Sequence, residues 1–263
     1  MERELLEKVM KQVETELGCK TTTQETKGDA TGISSALGRT EFVGTALGDT
    51  IGLVIAGVDP ILKDYLKLGN FRSIGIIGAR TGAGPQIMAV DDAVKATNTE
   101  IISVELPRDT KGGAGHGCLI IIGAEDVSDA KRAVETALQN VAKYFGDVYG
   151  NDAGHLEFQY SARASYCLEK ALGAKLGKAF GMVIGAPAAI GVVLADVAVK
   201  AASVEVVGYS SPSQGTSYSN EAILCFSGDS GAVRQAVKAA ISVGKVLLGA
   251  LDKEPQSTTT PYI

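Results

Sequence analysis

Two stretches of this chain carry the same residues in the same order. Asp91-Asp92-Ala93-Val94-Lys95-Ala96-Thr97-Asn98-Thr99-Glu100 returns as Asp196-Val197-Ala198-Val199-Lys200-Ala201-Ala202-Ser203-Val204-Glu205. The positions differ by 105 (196 − 91), and the offset holds for Lys95 and Lys200, Pro107 and Pro212, and Gly123 and Gly228. Solenoid repeats recur every 20–50 residues or so, so a period this long marks a duplicated domain. Whatever one half folds into, the other half repeats. Duplication builds pseudo-symmetric surfaces, whereas catalysis usually needs one asymmetric site.

The chain's 263 residues suffice for two domains of ordinary size. Tryptophan is absent and glycines number 32, so the core is expected to be aliphatic, with closely packed backbone. A formal net charge of −5 offers no footprint for nucleic acid. No block of like charge suggests a membrane surface as partner. The longest uncharged stretch, Ala179 to Ala195, is interrupted by Gly181, Gly185, Pro187 and Gly191. It reads as buried strand, turn and helix rather than as a membrane span. Cys19, Cys118, Cys167 and Cys225 are scattered, which fits reduced thiols in a cytoplasmic protein.

Residues 1–39 are predicted to form an amphipathic helix and a flexible linker, with domains at 40–150 and 151–263. Leu5, Leu6, Val9, Met10, Val13 and Leu17 fall at helical spacing among charged residues, and Gly18 ends the pattern. Each repeat then predicts one order of elements. A short strand (41–43; 157–159) leads to a helix (52–68; 161–172) and an apolar strand (74–77; 180–184). A turn and the helix with the repeated Asp and Lys follow, then a strand (100–106; 204–209), a long loop, a strand (119–122; 222–226) and a last helix (127–144; 231–248). This order predicts α+β sandwiches with helices against one sheet face.

One catalytic reading competes. Gly78-Ala79-Arg80-Thr81-Gly82-Ala83-Gly84 has the G-x-x-x-G-x-G form of the phosphate loop in NAD(P)-dependent short-chain dehydrogenases, and Tyr166 and Lys170 stand in their Y-x-x-x-K spacing. The glycine loop, however, lies far from the start of the chain. The position thirteen before Tyr166 is Ala153 rather than serine, and the second copy, Gly185-Ala186-Pro187-Ala188-Ala189-Ile190-Gly191, lacks the fingerprint. Both motifs read as strand-to-helix turns and helix residues of a glycine-rich protein. His116 and His155 have no metal-ligand partner at useful spacing. No catalytic residue, cofactor or metal is predicted.

The second repeat also reads Ala198-Val199-Lys200-Ala201-Ala202-Ser203-Val204-Glu205-Val206-Val207-Gly208-Tyr209, followed by Gly228-Asp229-Ser230-Gly231-Ala232-Val233. In residues and spacing these segments resemble the bacterial microcompartment (BMC) shell domain. The strand–helix unit precedes the signature in both copies, which resembles the circularly permuted, tandem members of that family. Glu41-Phe42-Val43-Gly44-Thr45-Ala46, the 78–85 turn, the 105–117 segment and Pro261-Tyr262-Ile263 extend the resemblance over Thr40 to Ile263.

The resemblance implies two tandem ferredoxin-like α/β sandwiches, and a homotrimer of pseudo-hexagonal shape packed with other shell proteins in a hexagonal sheet. It implies a structural protein of a cytoplasmic microcompartment shell of propanediol- or glycerol-utilising type, with a pore or channels for small polyols such as 1,2-propanediol or glycerol. Lys95 and Lys200 match the family's tile-edge lysine. The long loops take the place of pore loops. Glu105, Arg108, Asp109 and Lys111 would pair charges there, while Ser211, Ser213, Thr216, Ser217, Tyr218 and Asn220 exchange hydrogen bonds with a diol. The N-terminal helix would fasten encapsulated enzymes. Neither nucleic acid nor membrane is expected as a partner.

Overall fold

The computed structural model describes residues 40–107, 117–215 and 219–263. The helix and linker predicted for 1–39 lie outside the described residues. The first repeat runs β1 (Thr40–Ala46), β2 (Thr50–Ile55), α1 (Pro60–Tyr65), β3 (Ser73–Ala79), α2 (Gly84–Lys95), β4 (Glu100–Glu105), β5 (Cys118–Ala124) and α3 (Val127–Tyr144). The second runs β6 (Val148–Asn151), β7 (Gly154–Ser161), α4 (Tyr166–Leu172), β8 (Ala179–Ala186), α5 (Ala188–Ala201), β9 (Glu205–Ser210), β10 (Ala222–Gly228) and α6 (Ser230–Gly249), ending in β11 (Gln256–Ser257). Sheet order repeats too: β1-β2-β3-β5-β4 in one sheet and β11-β6-β7-β8-β10-β9 in the other, with every pairing antiparallel. The predicted α+β sandwich is present twice, α3 packing on the first sheet and α5 and α6 on the second.

The helix predicted over 52–68 is instead strand β2 followed by the short helix α1. Thr50-Ile51-Gly52-Leu53-Val54-Ile55 is rich in β-branched residues that pack well on a pleated surface. It pairs back on β1 through Gly48 and Asp49, both with positive φ (73° and 52°), a turn that glycine and aspartate tolerate. The helix starts only where Asp59 caps the Ile61 amide at 2.9 Å and Pro60 opens the first turn. The helix predicted over 161–172 likewise begins later, at Tyr166, with Ser165 as its N-cap.

Strand β6 was not anticipated. The domain division expected after residue 150 falls inside it, and its pairing places Val148–Asn151 in the second sheet. The repeat offset also slips. Glu100 lies opposite Gly123 and Glu205 opposite Ser227, so the structural counterpart of Gly123 is Ser227, not Gly228. The segment between the paired strands is one residue shorter in the second copy.

Alternation along β7 gives the second sheet two different faces. Leu156 and Phe158 join Val183, Leu224 and Phe226 in a core beneath α5 and α6. His155, Glu157 and Gln159 point the other way, toward the first repeat. That face also carries Met182, Ile184 and Cys225, which share a core with Ile87, Met88 and Phe145. The two repeats thus fuse through a seam. The C-terminal segment ties across it: Thr259 donates its hydroxyl to the Ala142 carbonyl of α3 at 2.6 Å, while buried Asp147 accepts the amides of Tyr262 (2.9 Å) and Ile263 (3.1 Å), and Tyr262 donates its hydroxyl to the Tyr160 carbonyl at 3.0 Å.

Candidate functional site

The seam has a polar frame. Helix α4 of the second repeat lies against α2 and β4 of the first. Ser165 donates its amide to Asp91 Oδ1 at 2.9 Å and its hydroxyl to the same oxygen at 2.5 Å. Lys95 Nζ sits 2.5 Å from Asp91 Oδ2 and donates to Ser161 Oγ at 3.3 Å. Lys170 Nζ donates to the carbonyls of Ile101 and Ile102, each at 2.9 Å. Between these bonds Cys167 and Leu168 are fully buried, as are Ile87 and Met88 of α2.

Beside the frame lies a cavity of about 550 Å³, within the range of small-molecule sites. The first repeat contributes Gly48, Thr81 to Gly84, Ile87 and Leu106. The second contributes Met182, Ile184, Ile223 and Cys225 from its sheet, Ala171 and Leu172 from α4, and Gly208, Ser210 and Thr258. Besides the Cys225 thiol, the ionisable side chains among the described residues of this largely apolar wall are His155, Glu157 and Glu221. His155 also lines a shallower recess with Asn151, Asp152, Ala153, Gly154, Ala186, Pro187 and Asn220.

Glu157 is strongly perturbed. Burial pushes its carboxyl up to about 7, and the nearby Glu221 raises it further. Gln159 Nε2, donating to Glu157 Oε1 at 3.2 Å, and His155 oppose the rise. His155 Nε2 stands 3.4 Å from Glu221 Oε2, an ion pair when the imidazole is protonated. Glu157 Oε1 also lies against Gly84, the first residue of α2. A Cβ added at Gly84 would sit 1.8 Å from that oxygen, so only glycine permits the approach.

This arrangement removes the physical support for the dehydrogenase reading. A carboxylate already occupies the space at the α2 N-terminus that a dinucleotide diphosphate needs. Lys170 is engaged by two carbonyls, and Tyr166 is exposed. Burial pushes the thiols of Cys118 and Cys225 up to about 12 and raises that of Cys167 as well, which makes them poor nucleophiles. Among the described residues, no group of three or more His, Cys, Asp or Glu side chains has metal-holding geometry, and no helix is long and apolar enough to cross a membrane.

The sequence-predicted residues divide by location. Glu105 ends β4 and is exposed, next to Leu106 of the cavity wall. Ser211 bonds with Gln214 through both backbone groups, closing a tight turn that exposes Ser213. Asn220 lines the recess and accepts from the Ala188 amide at 3.2 Å. Arg108, Asp109, Lys111, Thr216, Ser217 and Tyr218 lie outside the described residues. Lys95 is held in the seam, whereas Lys200 is exposed and pairs with Asp196 at 2.7 Å, one helical turn away. The sequence reading missed Glu157 and Glu221 and gave His155 no role. Their alternating polar pattern looks like a solvated strand face, and only the docking of the first repeat buries it.

A family model described as BMC domain matches residues 73–151 and 179–253. The chain is 66% identical over 225 residues to the bacterial microcompartment shell protein PduB of Salmonella typhimurium, covering 85% of this chain and 83% of that protein. Among solved structures it is similar to a trimeric bacterial microcompartment shell protein PduB, with a TM-score of 0.82 at 55% identity over 85% of this chain and 99% of the other. EtuB from Clostridium kluyveri matches with the same TM-score and identity, over 85% of this chain and 98% of the other.

Proposed function

Because the chain belongs to the BMC-domain family, we propose that it is a structural shell tile of a propanediol- or glycerol-utilising microcompartment. Three copies close into a ring, and the cavity at each intrachain seam admits small neutral polyols such as 1,2-propanediol or glycerol. The assembly rests on one observation: the surfaces that form the seam occur twice, and only one set is paired. Leu168 on α4 is 0% exposed, while Ile61 on the equivalent helix α1 is 72% exposed, and Leu62 beside it is exposed as well. Ile87 on α2 is 1% exposed, while Val192 on α5 is 50% exposed and is joined by Val193 and Val199. A second copy that lays its α1 on this α5 repeats the internal seam head to tail, and such a contact closes into a ring when the rotation allows. The trimeric solved relative supports three copies.

The expected result is a solution mass three times the 27.1 kDa chain, with hexagonal sheets in electron micrographs. A monomer at every concentration would overturn the reading.

The cavity supports the transport part. It is large enough for a small polyol, and Ser210 on its wall and Asn220 in the adjoining recess flank the second long loop. That loop and the first, with Glu105, Arg108, Asp109 and Lys111, are proposed to shape the opening. Polyol flux across reconstituted sheets that is unchanged after shortening both loops would argue against them. Lys95 and Lys200 are proposed as contacts to neighbouring shell tiles, Lys200 being the more exposed. The apolar stripe of residues 5–17 supports a fastening role toward encapsulated enzymes, which fails if deleting residues 1–35 leaves enzyme recovery in purified shells intact.

A further inference from the structure

We infer that Asp59 of one copy meets Asp196 of the next copy in the ring, a contact between carboxylates that makes the seam between copies the reversible one and lets salt tighten it. The inference rests on the reading of three copies that repeat the internal seam head to tail. Strand pairing sets Ile51 opposite Gly78 and Glu157 opposite Ile184, so the two sheets correspond with an offset of 106 (157 − 51). The docking helices keep that offset, since Asp59 caps α1 as Ser165 caps α4. Each bond of the internal frame therefore has a counterpart between copies.

Within the chain, donors meet acceptors. Ser165 gives its amide and its hydroxyl to Asp91 Oδ1, at 2.9 and 2.5 Å, and still accepts from the Cys167 amide at 3.4 Å. A hydroxyl can do both, whereas a carboxylate only accepts. Asp59 stands in the place of Ser165 and Asp196 in the place of Asp91, so the hydrogen that joins the internal pair has no equivalent between copies. The rest of the frame changes in the same sense. Lys170 donates to the carbonyls of Ile101 and Ile102, but its counterpart is Asp64, facing the carbonyls of Val206 and Val207. Lys95 donates to Ser161, whose counterpart is Ile55.

At the spacing of the internal pair, the two carboxylates come within hydrogen-bond distance of each other. Both are exposed in the single chain, so both shed water when copies meet. Lys200, bonded to Asp196 at 2.7 Å, places one cation beside the two anions. The attraction between copies is left to apolar surface, Ile61 and Leu62 on Val192 and Val193. Repulsion at the rim of that surface is strongest at low ionic strength and is screened by salt. The ring therefore comes apart between copies, into whole chains, and not at the hydrogen-bonded seam within each chain.

Asp59→Asn isolates the contact. Asparagine caps a helix as well as aspartate does, and its amide brings an N–H that Asp196 can accept. Ring opening is read from subunit exchange between two dye-labelled pools of the full-length protein. At about 50 mM salt Asp59→Asn is expected to exchange roughly tenfold more slowly than the unmodified protein, and at about 500 mM salt the gap narrows to about twofold. Asp196→Asn is expected to absorb the effect, so that in its background Asp59→Asn changes exchange by about twofold or less. Exchange that ignores Asp59→Asn at about 50 mM salt would overturn the contact. A tenfold change that persists in the Asp196→Asn background would overturn it too, because Asp59 would then act on some other group. A protein that is monomeric at every concentration, with and without the substitution, would remove the ring itself and the contact with it.

Discussion

Helices α1 and α4 begin alike, each with a capped first turn: Asp59 bonds the Ile61 amide, and Ser165 the Cys167 amide. Their next residues meet opposite fates. Cys167 and Leu168 vanish beneath the first repeat, whereas Ile61 and Leu62 face solvent in the single chain. A monomer gains nothing from exposing those side chains, and an exposed apolar patch with a paired twin elsewhere in the molecule points to an absent partner. The sharpest way to break this comparison is the same substitution on both helices. Leu168→Asp buries an unpaired charge and is expected to cost on the order of 4 kcal/mol or more, enough to unfold much of the chain in a urea titration. Leu62→Asp is expected to leave the urea midpoint of the dissociated chain almost unchanged while abolishing the trimer in solution mass. If Leu62→Asp still forms a full ring, α1 is not the interface.

The next comparison sets Glu157 against Ile51, its counterpart in the first sheet. The folded chain holds the Glu157 proton up to about 7, against an ordinary value of 4.5. A carboxylic acid whose pKa rises on folding stabilises the protein only where it is protonated. Its contribution is fully present below about pH 4.5 and is lost as pH rises through 7. Replacing it with a neutral isostere removes that loss. Glu157→Gln is therefore expected to raise unfolding free energy by about 3 kcal/mol at about pH 8 and by almost nothing at about pH 4. Urea unfolding at the two pH values checks the sign. An equal gain at both would mean that shape, not charge, is responsible. A site that costs stability in this way is one that function explains better than folding does.

Much of the fold was legible because strand and helix periods are local. The α3 span of Val127 to Tyr144 was read to the residue, and the apolar strands at 74–77 and 180–184 lie inside β3 and β8. Helix α1 failed because Gly52 to Leu68 is apolar enough to fit a helix, and the β-branched run that makes β2 looks the same until β1 is there to pair with it. The candidate site was hidden for a deeper reason. His155, Glu157 and Gln159 alternate with Leu156 and Phe158, the pattern of a half-solvated strand. Nothing within one repeat says that the polar face will be covered. The legible signal lay between the copies: where the first repeat carries Ile51, the second carries a glutamate.

The two repeated lysines give the smallest effect and the most informative control. Lys95 and Lys200 share sequence surroundings, and each has an aspartate four residues earlier. Asp91 is buried, so Lys95 compensates a charge whose other partner among the described residues is Ser165, and Lys95→Ala is expected to cost about 1–3 kcal/mol in chemical unfolding. The Lys200–Asp196 pair is open to water and is worth only a few tenths, ~0.3 kcal/mol. Lys200→Ala should therefore leave the melting transition where it is. That near-silence makes it a clean probe of tile contacts, because any loss of sheet formation cannot come from a weakened fold. Sheets that form normally with Lys200→Ala would remove that lysine from the tile edge, and equal stability losses at both positions would mean that the seam does not distinguish the two repeats.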